Sequence, residues 1–328
     1  MYQTPAWMAF VAETQSAESV VAAIKSDGRT VGHFCGLIVR RMGIRILGSP
    51  FEGWTTSYMG LLLDESASRR HAMDALVRFA FRDLGCSHLE VLDRRLTLEE
   101  MDGGGYAHQV SQGFEVDLSP SEDDVFANFT RSCRWSVRKA ERNGVIVEEA
   151  SDIEFADEFC AQQAEVFAAQ SLTPTYGIDR VRALIKHVCS TGMLLLLRAR
   201  DGDGNCMATG IFPGFHQSFF FWGGASWKKY QRLLPNEAIQ WYAIRYWKRR
   251  GIRFYDMVGG GEYKRKYGGR EIRIPRFQKS KYPGLQRARL MAKKLIQLRR
   301  RCLVMLKPVG SRSGAGDGRS APDGSRAG

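Results

Sequence analysis

The chain has 328 residues, 44% of them apolar, and a formal net charge of +13, enough length and apolar content for a full core without disulfides. Its seven cysteines are scattered, odd in number and form no CxxC pair, which argues against a disulfide framework or a zinc site and fits a reducing compartment. Eleven Lys/Arg and two acids follow Pro283, which places +9 of the +13 in that tail; an argument from basicity is an argument about the tail.

The N-terminus MYQTPAWMAFVAETQ lacks the basic region and continuous apolar run of a secretory signal. No stretch approaches the ~20 apolar residues of a membrane span, so a soluble or peripheral protein of the cytoplasm is expected. Residues 20–63 predict short strands, with a hairpin turn at Asp27–Gly28 between Val20–Ile24 and Val31–Val39. Tyr58–Leu63 predicts a strand. Met73, Leu76, Val77, Ala80 and Leu84 then share one helical face, Gly85 stops that helix, and His88–Leu92 is the next strand.

Ser119-Pro120-Ser121-Glu122 has capping-box spacing and predicts a helix start, with a break near Thr130 before RSCRWSVRKAERNGV. Ser151 and Glu154 repeat that spacing ahead of a helix over 152–170, and a further helix is expected over 179–189. Strands follow at Met193–Arg200, Cys206–Phe212 and Gln217–Trp222. A helix opens at Pro235–Asn236, places Ile239, Tyr242, Ala243, Tyr246 and Trp247 on one face against a sheet, stops at Gly251, and leads to a strand over Arg253–Val258. The segments Tyr58–Leu63, helix, His88–Leu92 and Phe219–Trp222, helix, Arg253–Val258 correspond, which suggests an internal repeat of about 166 residues.

Three places could hold chemistry. The helix mouth Leu233-Leu234-Pro235-Asn236-Glu237 follows Lys228, Lys229, Gln231 and Arg232 and would suit a phosphate through its free N–H groups, although lysines before a helix are as often merely solvated. Asp256, then Gly259-Gly260-Gly261, then Glu262, Tyr263, Lys264 and Tyr267 bring a carboxylate, phenols and cations to one sheet edge; the plainer alternative is a basic loop with a capping Asp. The glycines fit no dinucleotide fingerprint. Arg131, Arg134 and Arg138, beside Lys139, form a cationic helical stripe able to hold phosphate or carboxylate, or simply a solvated face. No nucleophile elbow and no histidine pair with metal-ligand spacing occurs, so no metal is expected.

Taken together, R-x-x-R-W-x-x-R-K-A-E-R-x-G-V, G-A-S-x-x-x-Y-x-x-x-x-P-N, F-Y-D-x-x-G-G and Y-K-x-K-Y-G-G resemble the FemAB-like branch of the GNAT N-acyltransferase superfamily. The resemblance implies an α/β (α+β) fold of two tandem GNAT-like domains, each a mixed twisted sheet flanked by helices. The expected division is 1–118, 119–283 with the active site, 284–310 as a basic amphipathic helix and 311–328 as a disordered tail. It also implies an N-acyltransferase that moves an acetyl, acyl or aminoacyl group to an amine of a saccharide or cell-envelope precursor. No cofactor would be permanently bound; acyl-CoA or aminoacyl-tRNA would be the co-substrate.

On that resemblance Tyr230, Arg232, Pro235 and Asn236 lie at the donor. Leu234-Pro235-Asn236 stands where the usual GNAT loop has glycines. Transfer to an amine needs a proton path: Asp256, Glu262 and Tyr263 are the catalytic candidates, with Arg134, Arg138, Lys139, Lys264 and Tyr267 for substrate. Residues 285–307 could meet the inner face of the cytoplasmic membrane and bring the enzyme to a lipid-linked acceptor. A non-catalytic GNAT-fold scaffold, or a nucleic-acid-binding protein acting through the tail, are the alternatives; a tRNA donor is the one nucleic-acid partner the main reading allows.

Overall fold

A computed structural model describes residues 1–285 apart from residue 42, together with residues 289 and 291. The expectations for 284–310 and 311–328 therefore lie outside the described residues, those few positions excepted.

The chain opens with α1 (Pro5–Gln15), capped by Thr4, whose side chain accepts from Trp7 N at 3.4 Å. The strands β1 (Glu18–Ser26), β2 (Arg29–Arg41) and β3 (Ile44–Ser49) follow, then β4 (Leu61–Leu63), α2 (Arg69–Arg78), β5 (His88–Leu92) and β6 (Ala107–Asp117). The second half contains α3 (Glu122–Ala127), α4 (Arg131–Arg142), β7 (Ile146–Ala150), α5 (Phe155–Ala169) and α6 (Ile178–Val188). It continues with β8 (Leu194–Arg200), β9 (Cys206–Phe215), β10 (Ser218–Phe220), β11 (Gly223–Ser226), α7 (Pro235–Arg249), β12 (Phe254–Asp256) and β13 (Arg270–Ser280). The fold is α/β, one mixed sheet with helices packed on it.

Two helix starts differ from their sequence signals, and a third matches. The cap of α3 is Ser121, which accepts from Asp124 N at 3.1 Å, not Ser119. Ser121 sets its oxygen on the amide of the third helical residue, Asp124. Asp152, rather than Ser151, accepts from Phe155 N at 3.0 Å ahead of α5. The break expected near Thr130 is present, with Thr130 capping α4.

The internal repeat is visible in the strand pairing, with one correction. Tyr58–Leu63 is not the strand parallel to β5. That partner is β3, with Ile46 beside His88 and Gly48 beside Glu90, while β4 pairs antiparallel with β2. In the second half β10 runs parallel to β12, Ser218 beside Phe254 and Phe220 beside Asp256, and β11 pairs antiparallel with β9. So β2, β3, β4, α2 and β5 correspond to β9, β10, β11, α7 and β12: in each half one strand is broken in two, its first piece lying parallel to the post-helix strand and its second piece diverging.

The halves are interleaved. The sheet order is β1-β2-β3-β5-β13-β6-β12-β10-β9-β8-β7, so the last strand enters between β5 and β6 while β6 pairs with β12. Three apolar cores result. One lies under α2 (Phe34, Leu47, Met73, Val91, Phe277) and one under α4 and α7 (Phe129, Phe212, Phe219, Trp247, Tyr255). The third joins α1 to α5 and α6 (Trp7, Phe10, Phe155, Phe159, Leu184). The aromatic face of α7 is core as its spacing implies: Ile239, Ala243 and Trp247 are buried, and Tyr242 lies half-buried with its hydroxyl on Glu149 at 3.0 Å.

Candidate functional site

The β10–β12 ladder ends where Phe221 N donates to Asp256 O at 3.0 Å. Beyond it β11 stays with β9 and the chain after β12 turns away, so the two strands part and open a wedge. A cleft of about 260 Å³ fills this wedge. Gly224, Ala225 and Ser226 of β11 form one wall, Asn236 and Gln240 of α7 the base, and Tyr263, Lys266 and Tyr267 the other wall.

The mouth of α7 opens onto this cleft. Leu234 sits in the left-handed region (φ 64°), Pro235 occupies the first helical position, and no side chain caps the helix. No side-chain cap of its first-turn N–H groups occurs among the described residues, and free N–H groups with the helix dipole are the features that suit a helix mouth to an anion. Asn236 Nδ2 donates to Ser226 Oγ at 2.9 Å, which ties the mouth to β11. Lys266 pairs with Glu237 at 2.6 Å, and the Tyr255 hydroxyl, beneath the cleft, donates to Gln240 Oε1 at 2.5 Å.

A 3-10 turn, Glu262–Tyr267, carries the far wall and is fixed to α4 by Thr130 N donating to Lys266 O at 2.9 Å. Gly268 follows with φ 73°, and a Cβ there would meet Asn128 O at 2.9 Å. Only glycine tolerates both the left-handed backbone and this approach.

Asp256 lies on the opposite face of the sheet from Tyr255. It is 1% exposed; Oδ1 accepts from Val258 N at 2.8 Å, and Oδ2 has no hydrogen-bond partner among the described residues. Burial pushes its carboxyl up to about 6, against the opposing pull of the Val258 amide and Arg94. The corresponding position of the first half is Glu90, also buried, but faced by the Arg276 guanidinium at 3.6 Å.

The other expected site residues separate into groups. Tyr263, half-exposed, and Tyr267, buried, line the cleft, and Pro235 and Asn236 form the helix mouth. Tyr230 and Arg232 lie in the 3-10 turn Lys228–Leu233 just before α7; Lys229 sits 4.7 Å over the Tyr230 ring, and Arg232 is exposed. Glu262 does not reach Asp256: it is exposed and pairs with Arg265 at 2.8 Å. Lys264 is buried and donates to the carbonyls of Val258 and Gly259, closing the glycine turn, and burial lowers its ammonium to about 8. Arg134 is held by the carbonyls of Ala127 and Phe129, Arg138 lies 5.4 Å over the Phe126 ring and Lys139 4.6 Å over the Trp135 ring. These three cations are thus engaged with α3 and with α4 itself, outside the cleft lining.

Sequence reasoning misses Gln240 and gives no separate role to Ser226, Glu237 and Lys266, which lie within the segments it singles out; the relevance of all four rests on where β11 and α7 meet. It also missed Tyr58, Arg94 and Glu115, which come from the other half and reach the neighbourhood of Asp256 only through the exchanged strands. No group of metal-ligating side chains occurs among the described residues, and no helix there is long and apolar enough to cross a membrane.

Residues 127–266 match the family described as Acetyltransferase (GNAT) domain. Comparison with curated proteins gave no match. Among solved structures the chain is similar to FemX, at 14% identity and a TM-score of 0.69 over 84% of this chain and 91% of that one. It is also similar to the C-terminal domain of a putative lysylphosphatidylglycerol synthetase from Agrobacterium fabrum, at 12% identity and a TM-score of 0.55 over 90% and 93%. A tandem GNAT protein from the clavulanic acid biosynthesis pathway is similar at 11% identity and a TM-score of 0.50 over 81% and 84%. At these identities the likeness is one of fold.

Proposed function

We propose that this chain, an acyltransferase with a GNAT domain on a FemX-like tandem fold, moves an acyl or aminoacyl group from an activated donor to an amine of a saccharide or cell-envelope precursor. The observation that carries the reading is the wedge between β11 and the Glu262–Tyr267 turn, with the uncapped mouth of α7 opening onto it. A donor phosphate at that mouth would lay the acyl arm along β11 and bring its carbonyl to the point where β10 and β12 part, next to Asp256. Residues 1–118 and 119–283 serve as the two GNAT-like units, and only the second keeps its wedge open.

The chemistry asked of the protein is modest. The cleft positions donor and acceptor, which is worth several kcal/mol by proximity, and a carboxylate of pKa near 6 accepts one proton. Acyl-CoA and aminoacyl-tRNA both present a phosphate and an activated carbonyl. The likeness to FemX and to a lysylphosphatidylglycerol synthetase domain supports an aminoacyl donor and an envelope acceptor.

Isothermal titration of the full chain with acetyl-CoA, alanyl-tRNA and lysyl-tRNA tests this reading. At least one is expected to bind, and Asn236→Ala, which frees Ser226 from the helix mouth, should weaken it about tenfold, or ~1.4 kcal/mol. Absence of binding by all three at the highest attainable concentrations contradicts the proposal, and a donor bound without transfer to any amine favours a scaffold.

A further inference from the structure

A second cavity, of about 700 Å³, lies on the face of the sheet away from the donor cleft. Its wall combines the N-terminal segment with pieces of both halves: Tyr2, Tyr58, Arg94, Glu115, Phe220 and Arg270. Glu115 is cross-strand neighbour to both Asp256 and Arg270, so the three stand side by side over β12, β6 and β13. Arg270 donates to Glu115 Oε1 at 2.8 Å, Arg94 pairs with its other oxygen, and Arg94 also donates to the Tyr58 hydroxyl at 3.1 Å. Asp256 lies directly behind this wall. The charged and titratable groups that face it are Tyr2, Tyr58, Arg94 and Glu115 from the cavity side and Lys264 from the cleft side.

Asp256 thus stands at the end of the ladder where the sheet splits, with Glu115 of the cavity wall beside it. We propose that the cavity of Tyr2, Tyr58, Arg94 and Arg270 is the acceptor site, that it takes a small primary amine bearing a phosphate or carboxylate, and that Asp256 receives the amine's proton. This rests on the donor reading above.

Charge selects the ligand class. Two guanidinium groups meet the single carboxylate of Glu115, and the exposed Arg95 lines the same cavity. Asp93, the other acid there, is engaged by Leu61 N at 2.9 Å, Arg95 N at 2.8 Å and Arg69. An anionic substituent balances the excess of cations, while Tyr2, Tyr58, Phe220 and Phe254 offer apolar faces to the body of the ligand. The amine end then approaches Asp256, whose buried Oδ2 has no hydrogen-bond partner among the described residues, whereas the buried Glu115 Oε2 is ion-paired with Arg94.

The step balances. The amine nitrogen forms a C–N bond to the acyl carbon, and the C–S bond of a thioester, or the C–O bond of an aminoacyl ester, breaks. The nitrogen becomes acidic as it acquires positive charge, its proton passes to Asp256 Oδ2, and the departing sulfur or oxygen takes its electron pair and then a proton from solvent, to which Asp256 releases the one it received.

The full chain is titrated with glucosamine 6-phosphate and alanyl-alanine as anionic amines, with neutral glucosamine as control, and separately with acetyl-CoA and the two charged tRNAs. Leu62→Trp and Ser218→Trp place bulk in the cavity; Leu98→Trp does so in a groove on the other face of the sheet that shares only Arg94 with the cavity lining. The anionic amines should bind at least tenfold more tightly than glucosamine and lose tenfold or more in Leu62→Trp and Ser218→Trp. They should be unchanged in Leu98→Trp, with donor binding unchanged throughout. Equal binding of glucosamine, no effect of the two bulky variants, a loss confined to Leu98→Trp, or no binding by either anionic amine each overturns the proposal. If no donor binds but Leu62→Trp still removes the anionic amine, the donor reading falls and the amine site stands.

Discussion

Asp256→Asn is expected to lower kcat by about 10²–10⁴-fold while leaving the folded chain as stable as before, or more stable, at pH 7. The carboxyl is fully buried, and its folded value of about 6 lies above the ordinary 3.8 because burial disfavours the charged form. The folded state therefore holds a proton that the unfolded chain has released over roughly pH 4–6. Stability falls as pH rises through that window and remains lowered above it, by on the order of 3 kcal/mol.

Asparagine keeps an oxygen for Val258 N and carries no charge, so the variant should lack this slope. The activity of the parent enzyme should rise through pH 6 as the carboxylate forms, and the variant should lack that limb. Rate profiles and denaturant unfolding at pH 4.5 and 7 decide the matter. Unchanged kcat removes Asp256 from the chemistry, and a loss of stability at pH 7 assigns it a structural role.

The second large effect concerns the N-terminal helix. Trp7 is fully buried, its Nε1 donates to Thr56 Oγ1 at 3.0 Å, and its ring meets Tyr2 and Phe10 at centroid distances of 4.8 and 5.1 Å. Helix α1 packs on α6 of the second half, where Glu13 pairs with His187 at 2.6 Å and Lys186 at 3.3 Å. Trp7→Ala should cost about 3–5 kcal/mol, from lost transfer energy and the cavity left behind. Because Tyr2 and Met1 line the proposed acceptor cavity, the anionic amine should also bind more weakly. A shift of less than ~1 kcal/mol in the urea midpoint would show that α1 is not part of the cooperative core.

Much of this architecture is readable from local patterns. The Asp27–Gly28 turn, the stop at Gly251 and the apolar face of α7 are short-range features, and all three have their expected structural form, with Asp27 and Gly28 at φ 49° and 77° and Gly251 at 82°. The repeat is also legible, because each copy needs a strand, a helix and a parallel strand. The identity of the first strand is not. β4 is an apolar run like β10, and only the ladder shows that β3 is the parallel partner.

The site is less legible for a related reason. Helix mouth, Asp256 and Tyr263 lie on one stretch of chain and could be grouped by proximity in sequence. Glu115, Arg94 and Tyr58 reach Asp256 only because β13 inserts between β5 and β6, which leaves β6 to pair with β12. No local pattern encodes such an exchange. Arg134, Arg138 and Lys139 illustrate the converse: a cationic stripe in sequence becomes, in the fold, a set of carbonyl bonds and ring contacts.

On the donor reading proposed here, one half of the repeat keeps its donor wedge and the other closes it. In the first half, Asp93 Oδ2 accepts from Leu61 N at 2.9 Å, and Gly60 lies so near Asp93 that a Cβ would stand 2.4 Å from it; a carboxylate occupies the place that stays open beside β11. Amide hydrogen exchange, with and without saturating donor, reads the two wedges at once. Protection is predicted over residues 223–240 and 257–267 and none over the counterpart segment 60–75. Protection confined to 60–75, or shared equally between the two halves, would contradict a donor wedge in the second half alone.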